Sequence, residues 1–276
     1  MPEIAECRKY VDQLNNLYQG NFLKDIKIVG GRFLKEGIPG LIQLQHDLPL
    51  KLLKFDSKGK FIYAEFETHT FGQASTQNLY MFITLGMAAS FGARNKHSAV
   101  HFEFDNGEVF YNDIRHFGTI KVVRSKLELF KKLDTLGWDA LQDPYVPTSM
   151  KDYFWKAKAS KGVAELLLDQ KIFAGVGNYI RSEVLYRAKI NPKRPAASLQ
   201  DFEIQSVCQN IIDVAKEAYA AGGATIATYS DLYGVAGTYF QNFQVYSKKI
   251  DPLGNPVLKY KADDGRAVHW VPAVQI

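Results

Sequence analysis

Long apolar runs are missing from this 276-residue chain, and without about 18 consecutive apolar residues no membrane-spanning helix is expected. Cysteine is nearly absent. Cys7 and Cys208 stand alone, each on the apolar face of a predicted helix. That excludes a disulfide framework and a four-cysteine metal site, and predicts two buried thiols. Of the 6 histidines, His269 is the only one in the last 160 residues. Internal repeats and low-complexity tracts are lacking too, which excludes a solenoid. The start, Met1-Pro2-Glu3-Ile4-Ala5-Glu6, has neither the basic nor the apolar region of a signal peptide, so the chain is expected to stay inside a cell. Nor is there a large excess of one charge. Lys and Arg number 34 against 29 Asp and Glu, and the net charge of +5 is compatible with a polyanionic partner without identifying one. What is present, 46% hydrophobic and 23% charged residues, suits a globular protein with two cored domains.

The most informative stretch is Leu166 to Ala188. Leu166, Leu167, Leu168 and Phe173 suit a short buried helix; Ala174-Gly175-Val176-Gly177-Asn178 breaks it. Two glycines in three residues permit positive φ. Asn178 is placed to cap a second helix, which buries Ile180, Val184, Leu185 and Ala188 at helical spacing. Amides at such a turn form an anion site suited to phosphate.

Upstream, Ile4, Cys7, Val11, Leu14 and Tyr18 predict an amphipathic helix over 3–18, with Pro2 in its first turn and Glu3 and Glu6 at its positive end. If Met1 is removed, Pro2 presents a secondary amine, a nucleophile toward an aldehyde-like carbon. The helix end keeps more of that amine unprotonated, and Glu3 beside it is a general acid and base. Alternating or apolar runs at 22–29, 41–44, 50–55, 60–66, 79–85, 99–104 and 108–112 read as antiparallel strands, and Asp105-Asn106-Gly107 as a hairpin turn. Later segments predict helices over 125–133, 149–158 and, capped by Ser198 with Asp201, 198–220. The last has an apolar face of Leu199, Phe202, Val207, Ile211, Val214 and Ala218. Residues 224–238 read as a mobile loop, 243–247 and 256–260 as strands. Lys151, Lys156, Lys158 and Lys161 form a basic stretch facing DNA or solvent.

The run Leu167-Leu168-Asp169-Gln170, Gly175, Gly177-Asn178, Glu183 and Leu185 resembles the helix–two-turn–helix signature of the formamidopyrimidine-DNA glycosylase and endonuclease VIII family of base-excision repair enzymes. Pro2-Glu3 with Glu6, Gly59-Lys60, Leu85-Gly86-Met87, Asp113-Ile114-Arg115-His116-Phe117-Gly118 and Gly265-Arg266 with Trp270, Pro272 and Gln275 resemble its other motifs, in order. The resemblance implies an α+β fold: an N-terminal antiparallel β-sandwich over 1–123, a linker over 124–148, a helical domain over 149–239 and a finger hairpin over 240–276. It implies Pro2 as nucleophile, Glu3 as proton donor to the opening sugar, and Glu6 as support. Lys60, Asn178 and Arg266 would hold phosphates. Met87 and Phe117 would wedge the duplex while Arg115 reads the orphaned base, because flipping a base leaves a gap in the stack. In the family the finger binds zinc through four cysteines; here Val271 and Val274 stand at two of those places and the other two are absent as well. No metal and no cofactor is therefore expected, and packed valines should hold the hairpin.

The function so implied is glycosylase and abasic-site lyase action on duplex DNA by a monomer, with excision of an oxidised base and β,δ-elimination. Hydantoins, formamidopyrimidines, 8-oxoguanine and oxidised pyrimidines all stay open as substrates. A DNA-binding protein of the same fold that has lost its chemistry, and a tautomerase using Pro2 as a base, are the alternatives.

Overall fold

The structure is a computed structural model that describes residues 2–68, 78–158, 160–226, 229–262 and 264–276. Its architecture is α+β. Helix α1 (Ile4–Tyr18) is followed by strand β1 (Phe22–Ile28), short helices α2 (Phe33–Glu36) and α3 (Leu41–His46), then β2 (Leu50–Lys58), β3 (Phe61–Glu67), β4 (Asn78–Thr84), β5 (Ala89–Gly92), β6 (Ser98–Phe104), β7 (Gly107–Asp113) and β8 (Thr119–Val123). These eight strands form one antiparallel sheet in the order β5-β7-β6-β1-β2-β3-β4-β8. Its two four-stranded halves are joined by a ladder with only Phe22↔Lys51 and Leu23↔Leu50 in register. That narrow seam lets the halves fold face to face, and the Tyr111 hydroxyl of one donates to the Thr84 carbonyl of the other across 2.8 Å. The sheet is a sandwich in its packing and continuous in its hydrogen bonding.

The run 41–44, read above as a strand, is helical. Gly40 enters it at φ 78°, so close to the Val122 carbonyl that no Cβ would fit. Leu41 and Leu44 then face the core at a three-residue interval. A four-residue apolar run carries either period, and here the turn before it decides.

Helix α4 (Lys126–Asp134) starts at Ser125, whose hydroxyl accepts from the Glu128 amide. The short strand β9 (Trp138–Asp139), α5 (Pro147–Trp155), α6 (Val163–Leu167), β10 (Phe173–Ala174), α7 (Asn178–Arg187) and α8 (Asp201–Ala220) follow, and the hairpin β11 (Leu258–Lys261) and β12 (Ala267–Trp270) ends the chain. Phe173 lies in β10, paired parallel to Trp138, rather than in a helix. Helix α8 begins later than expected: Gln200 and Glu203 form its capping box, Ser198 closes a 3-10 turn, and Phe202 is 71% exposed instead of facing the core. Among the described residues no helix is long and apolar enough to cross a membrane. Cys7 and Cys208 are free and buried.

Helix α7 is not amphipathic. Arg181, Ser182 and Glu183 are as buried as Ile180 and Val184. The Glu183 carboxylate accepts from the amides of Gln244, Val245 and Tyr246 at 2.9, 3.1 and 2.8 Å. Those amides are committed to a carboxylate, so 243–247, read above as a strand, pairs with no strand among the described residues. Glu183→Gln keeps one acceptor oxygen and turns an NH2 toward these amides. The expected cost is about 2 kcal/mol, read as a lower urea midpoint at unchanged slope.

Candidate active site

The site assembles where the start of α1 meets the turn before α7. Glu3 is the N-cap of α1 and Pro2 precedes the cap, one step outside the first turn. The Glu6 carboxylate accepts from the Glu3 amide at 2.7 Å, which closes a capping box. The Glu3 carboxylate crosses to the other half of the chain. Its oxygens accept from the Tyr179 amide at 3.0 Å and the Ile180 amide at 3.3 Å. These are free N–H groups of the first turn of α7, so the positive end of that helix holds a carboxylate of the protein itself, and not an open phosphate site. The cap of α7 is Gly177, not Asn178. A Cβ on Gly177 would overlap the Glu3 carboxylate, which explains a glycine at the cap.

Glu3 is 1% exposed. Burial pushes its pKa up to about 7, against the pull of Lys60 and the two α7 amides, so desolvation outweighs the nearby cation. Burial also raises Glu6, which accepts from the Tyr179 hydroxyl at 3.2 Å and the Ala224 amide at 2.7 Å. Lys60 is lowered by its own burial, and its Nζ donates to the Val176 carbonyl at 3.0 Å. Behind it, the Asp139 carboxylate accepts from the Gly59 amide at 2.7 Å, which anchors the β2–β3 turn beneath Lys60.

Pro2 and Lys60 line one cavity of about 280 Å³, together with Phe61, Leu85, Lys132 and Gln170. Gln170 grips the glycine turn twice: its Nε2 donates to the Val176 carbonyl and its Oε1 accepts from the Gly175 amide, both at 2.9 Å. Lys132 and Gln170 were not singled out as site residues above. Gln170 stands in the helix–two-turn–helix run, and Lys132 interrupts the apolar spacing of Leu129, Leu133 and Leu136.

The other expected residues lie outside this cavity. Met87 and Phe117 are 42% and 55% exposed, on two loops that touch. The Gly86 turn, at φ 53°, rests on the Phe117–Gly118 backbone, closer than a side chain would allow. Arg115 stacks over the Phe117 ring with its guanidinium 5.0 Å from the centroid. On the opposite side Asn178 donates to the Ala267 carbonyl at 3.0 Å, and Arg181 donates to the Asn178 side-chain oxygen and pairs with Asp264 at 3.4 Å. The α7 start is thus tied to the hairpin turn that carries exposed Arg266. In the basic stretch, Lys151, Lys156 and Lys161 pair with Asp201, Asp152 and Asp169.

Among the described residues no zinc ligand set exists in the finger. Val271 packs with Val245 and Tyr186, and Val257 and Val274 complete that apolar cluster. His269 is turned inward, and burial lowers its pKa to about 4.

The segment 224–238, read above as a mobile loop, is strapped along α1 over its described part; 227 and 228 lie outside the described residues. The Ala224 amide donates to Glu6, the Tyr10 hydroxyl to the Ser230 carbonyl, and the Gln13 amide group to Asp231 at 2.7 Å. Glu6, Tyr10 and Gln13 form one face of the helix at four- and three-residue intervals, and Tyr229 and Leu232 enter the N-terminal core.

Residues 1–120 match the formamidopyrimidine-DNA glycosylase N-terminal domain, and residues 136–230 the formamidopyrimidine-DNA glycosylase H2TH domain. The formamidopyrimidine-DNA glycosylase of Geobacillus kaustophilus (strain HTA426) is 30% identical over 280 residues, which span 100% of both chains. That of Listeria monocytogenes serotype 4b (strain F2365) is 34% identical over 187 residues, 66% of this chain and 67% of the relative. Among solved structures, MutM (Fpg) from Thermus thermophilus superposes with a TM-score of 0.85 at 25% identity, over 99% of this chain and 98% of that one. Lactococcus lactis Fpg in complex with DNA containing an abasic site superposes with a TM-score of 0.84 at 25% identity, over 99% of both chains.

Proposed function

This chain belongs to the formamidopyrimidine-DNA glycosylase family, and from that premise we propose that it is a bifunctional DNA glycosylase and abasic-site lyase acting on duplex DNA with an oxidised base or an abasic site. The observation that carries this reading is the placement of Pro2 and Lys60 in one cavity, with the buried carboxyl of Glu3 adjacent to Pro2 in the chain and held by α7.

With Met1 removed (it lies outside the described residues), the Pro2 nitrogen attacks C1′ of the flipped nucleotide. A C1′–N bond forms, the bond to the base breaks with its electron pair leaving on the base, and the proton lost from the proline nitrogen neutralises the departing base. Glu3, held near half-protonated at neutral pH, donates its proton to the ring oxygen as the sugar opens. The iminium at C1′ then draws electrons from the C2′–H bond, whose proton returns to the carboxylate left on Glu3, and the 3′ phosphate leaves with the pair; loss of the C4′ proton in a second elimination releases the 5′ phosphate. Glu6 fixes the Glu3 backbone. Met87 and Phe117 fill the emptied stack beside Arg115, and Lys60, Asn178 and Arg266 hold the phosphates around the lesion.

Borohydride trapping on duplex DNA with an abasic site tests the proposal. Reduction should join protein to DNA through the Pro2 nitrogen, as read by mass mapping of the N-terminal peptide. A folded protein that binds this DNA and yields no adduct would sink the lyase mechanism.

A further inference from the structure

Helix α4 presents Leu129 and Leu133 to the sheet, and Leu136 follows just past its end; all three pack with Phe61, Tyr80 and Val123. Lys132 belongs to the same face, since 129, 132 and 133 follow the three- and four-residue spacing of one helical stripe. A lysine among leucines in such a stripe is out of place as a core residue, and its stem must run along apolar surface to bring the charge out. The structure shows where the charge emerges. Lys132 lines the Pro2 cavity, and its Nζ stands 5.3 Å from the centre of the Phe61 ring.

That cavity has two lysines with different commitments. Lys60 is already engaged by the Val176 carbonyl and lies in the field of Glu3. Among the described residues Lys132 has no carboxylate partner, and the aromatic face under it supplies no hydrogen-bond acceptor of comparable strength. Its three N–H donors are available to an anion that enters with the substrate. Ser125 caps α4, and Leu129 and Leu133 fix the helix on β3 and β4, so the backbone that carries the ammonium is set before substrate arrives.

We propose that Lys132 is a further substrate-binding residue, gripping a backbone phosphate of the nucleotide whose C1′ is brought to Pro2. The inference rests on the function proposed above. A phosphodiester is the anion that DNA necessarily carries on either side of that sugar, and a compact ammonium on a flexible stem suits it as a point charge.

The test is equilibrium binding to a duplex with a tetrahydrofuran abasic analogue and to the undamaged duplex, across a salt series. The wild type is compared with Lys132→Met and Lys132→Arg. Methionine keeps a stem over Phe61 and removes the charge; arginine keeps the charge. Lys132→Met should reduce the slope of log K against log salt by about 0.9 and weaken binding about five- to tenfold near 0.1 M salt, while Lys132→Arg stays close to wild type. A structural role would move stability without moving the slope. If the wild type prefers the abasic analogue and Lys132→Met keeps the wild-type slope and affinity, this assignment is overturned and the function stands. If the wild type shows no preference for the analogue, the function falls, and the assignment with it.

Discussion

Glu3→Gln should slow base excision by about 10²- to 10⁴-fold while duplex binding holds within a few-fold, the loss usual for a positioned proton donor. Glutamine is nearly isosteric and keeps an oxygen for the Tyr179 or Ile180 amide, so the turn at α7 should survive. What goes is the proton. The pH profile separates this from mere disturbance. Burial raises Glu3 to about 7, so the neutral acid dominates below that pH and is depleted tenfold per unit above it. The wild-type excision rate should therefore fall on the alkaline side of pH 7, and the residual activity of Glu3→Gln should lack that limb. The same shift sets a stability term. A carboxyl raised from 4.5 to about 7 favours the folded state fully below pH 4.5, and that contribution is lost as pH rises to about 7. Glu3→Gln should thus remove this group's share of the fall in stability between pH 5 and pH 7, while Glu6 and Glu183, also raised by burial, keep theirs. A variant with a rate within threefold of wild type would remove Glu3 as the acid.

Gly175→Ala should cost about 4 kcal/mol, combining positive-φ strain with overpacking against backbone. Gly175 sits at φ 92°, and its Cβ would lie 2.6 Å from the Ile4 Cβ and 2.8 Å from the Gly59 Cα. None of these neighbours is the tip of a flexible side chain. Relief requires the start of α1, the β2–β3 turn or the glycine turn itself to withdraw, and those three carry Pro2, Lys60 and the Val176 carbonyl. Two readouts follow: a urea midpoint lowered in proportion, and excision reduced even where the protein remains folded. Gly234→Ala is the control, because φ there is 81° and nothing lies within 4 Å. It should show the backbone strain alone, about 1 kcal/mol. Equal losses at both positions would mean that the close approach at Gly175 contributes nothing.

Much of the fold was legible because its signals are periodic. Helix α1 and six strands announce themselves by spacing, and the Asp105-Asn106 turn joins β6 to β7. The failures have a common cause. Leu41–Leu44 and 243–247 are short apolar segments whose state is set by something distant in sequence: the Val122 carbonyl against Gly40 in one case, the Glu183 carboxylate in the other. The site shows the same limit more sharply. Sequence offers Pro2, Glu3 and the glycine turn as separate local features. That the carboxylate of Glu3 takes the helix end which local pattern leaves open to phosphate depends on a contact between residues 176 apart, and nothing nearby in the chain encodes it. Lys132 could have been found, because a charge in a leucine stripe is a local anomaly. It was lost in a helix that looked like a connector.

The row Glu6, Tyr10 and Gln13 has a mechanical consequence. Three attachments in a row on one face of a helix are displaced together by a slide along its axis and together by a roll about it, so neither motion can release the strap one bond at a time. Glu6 joins the strap to the Glu3 amide, so the attachment nearest the start of the helix is also the one that braces the acid.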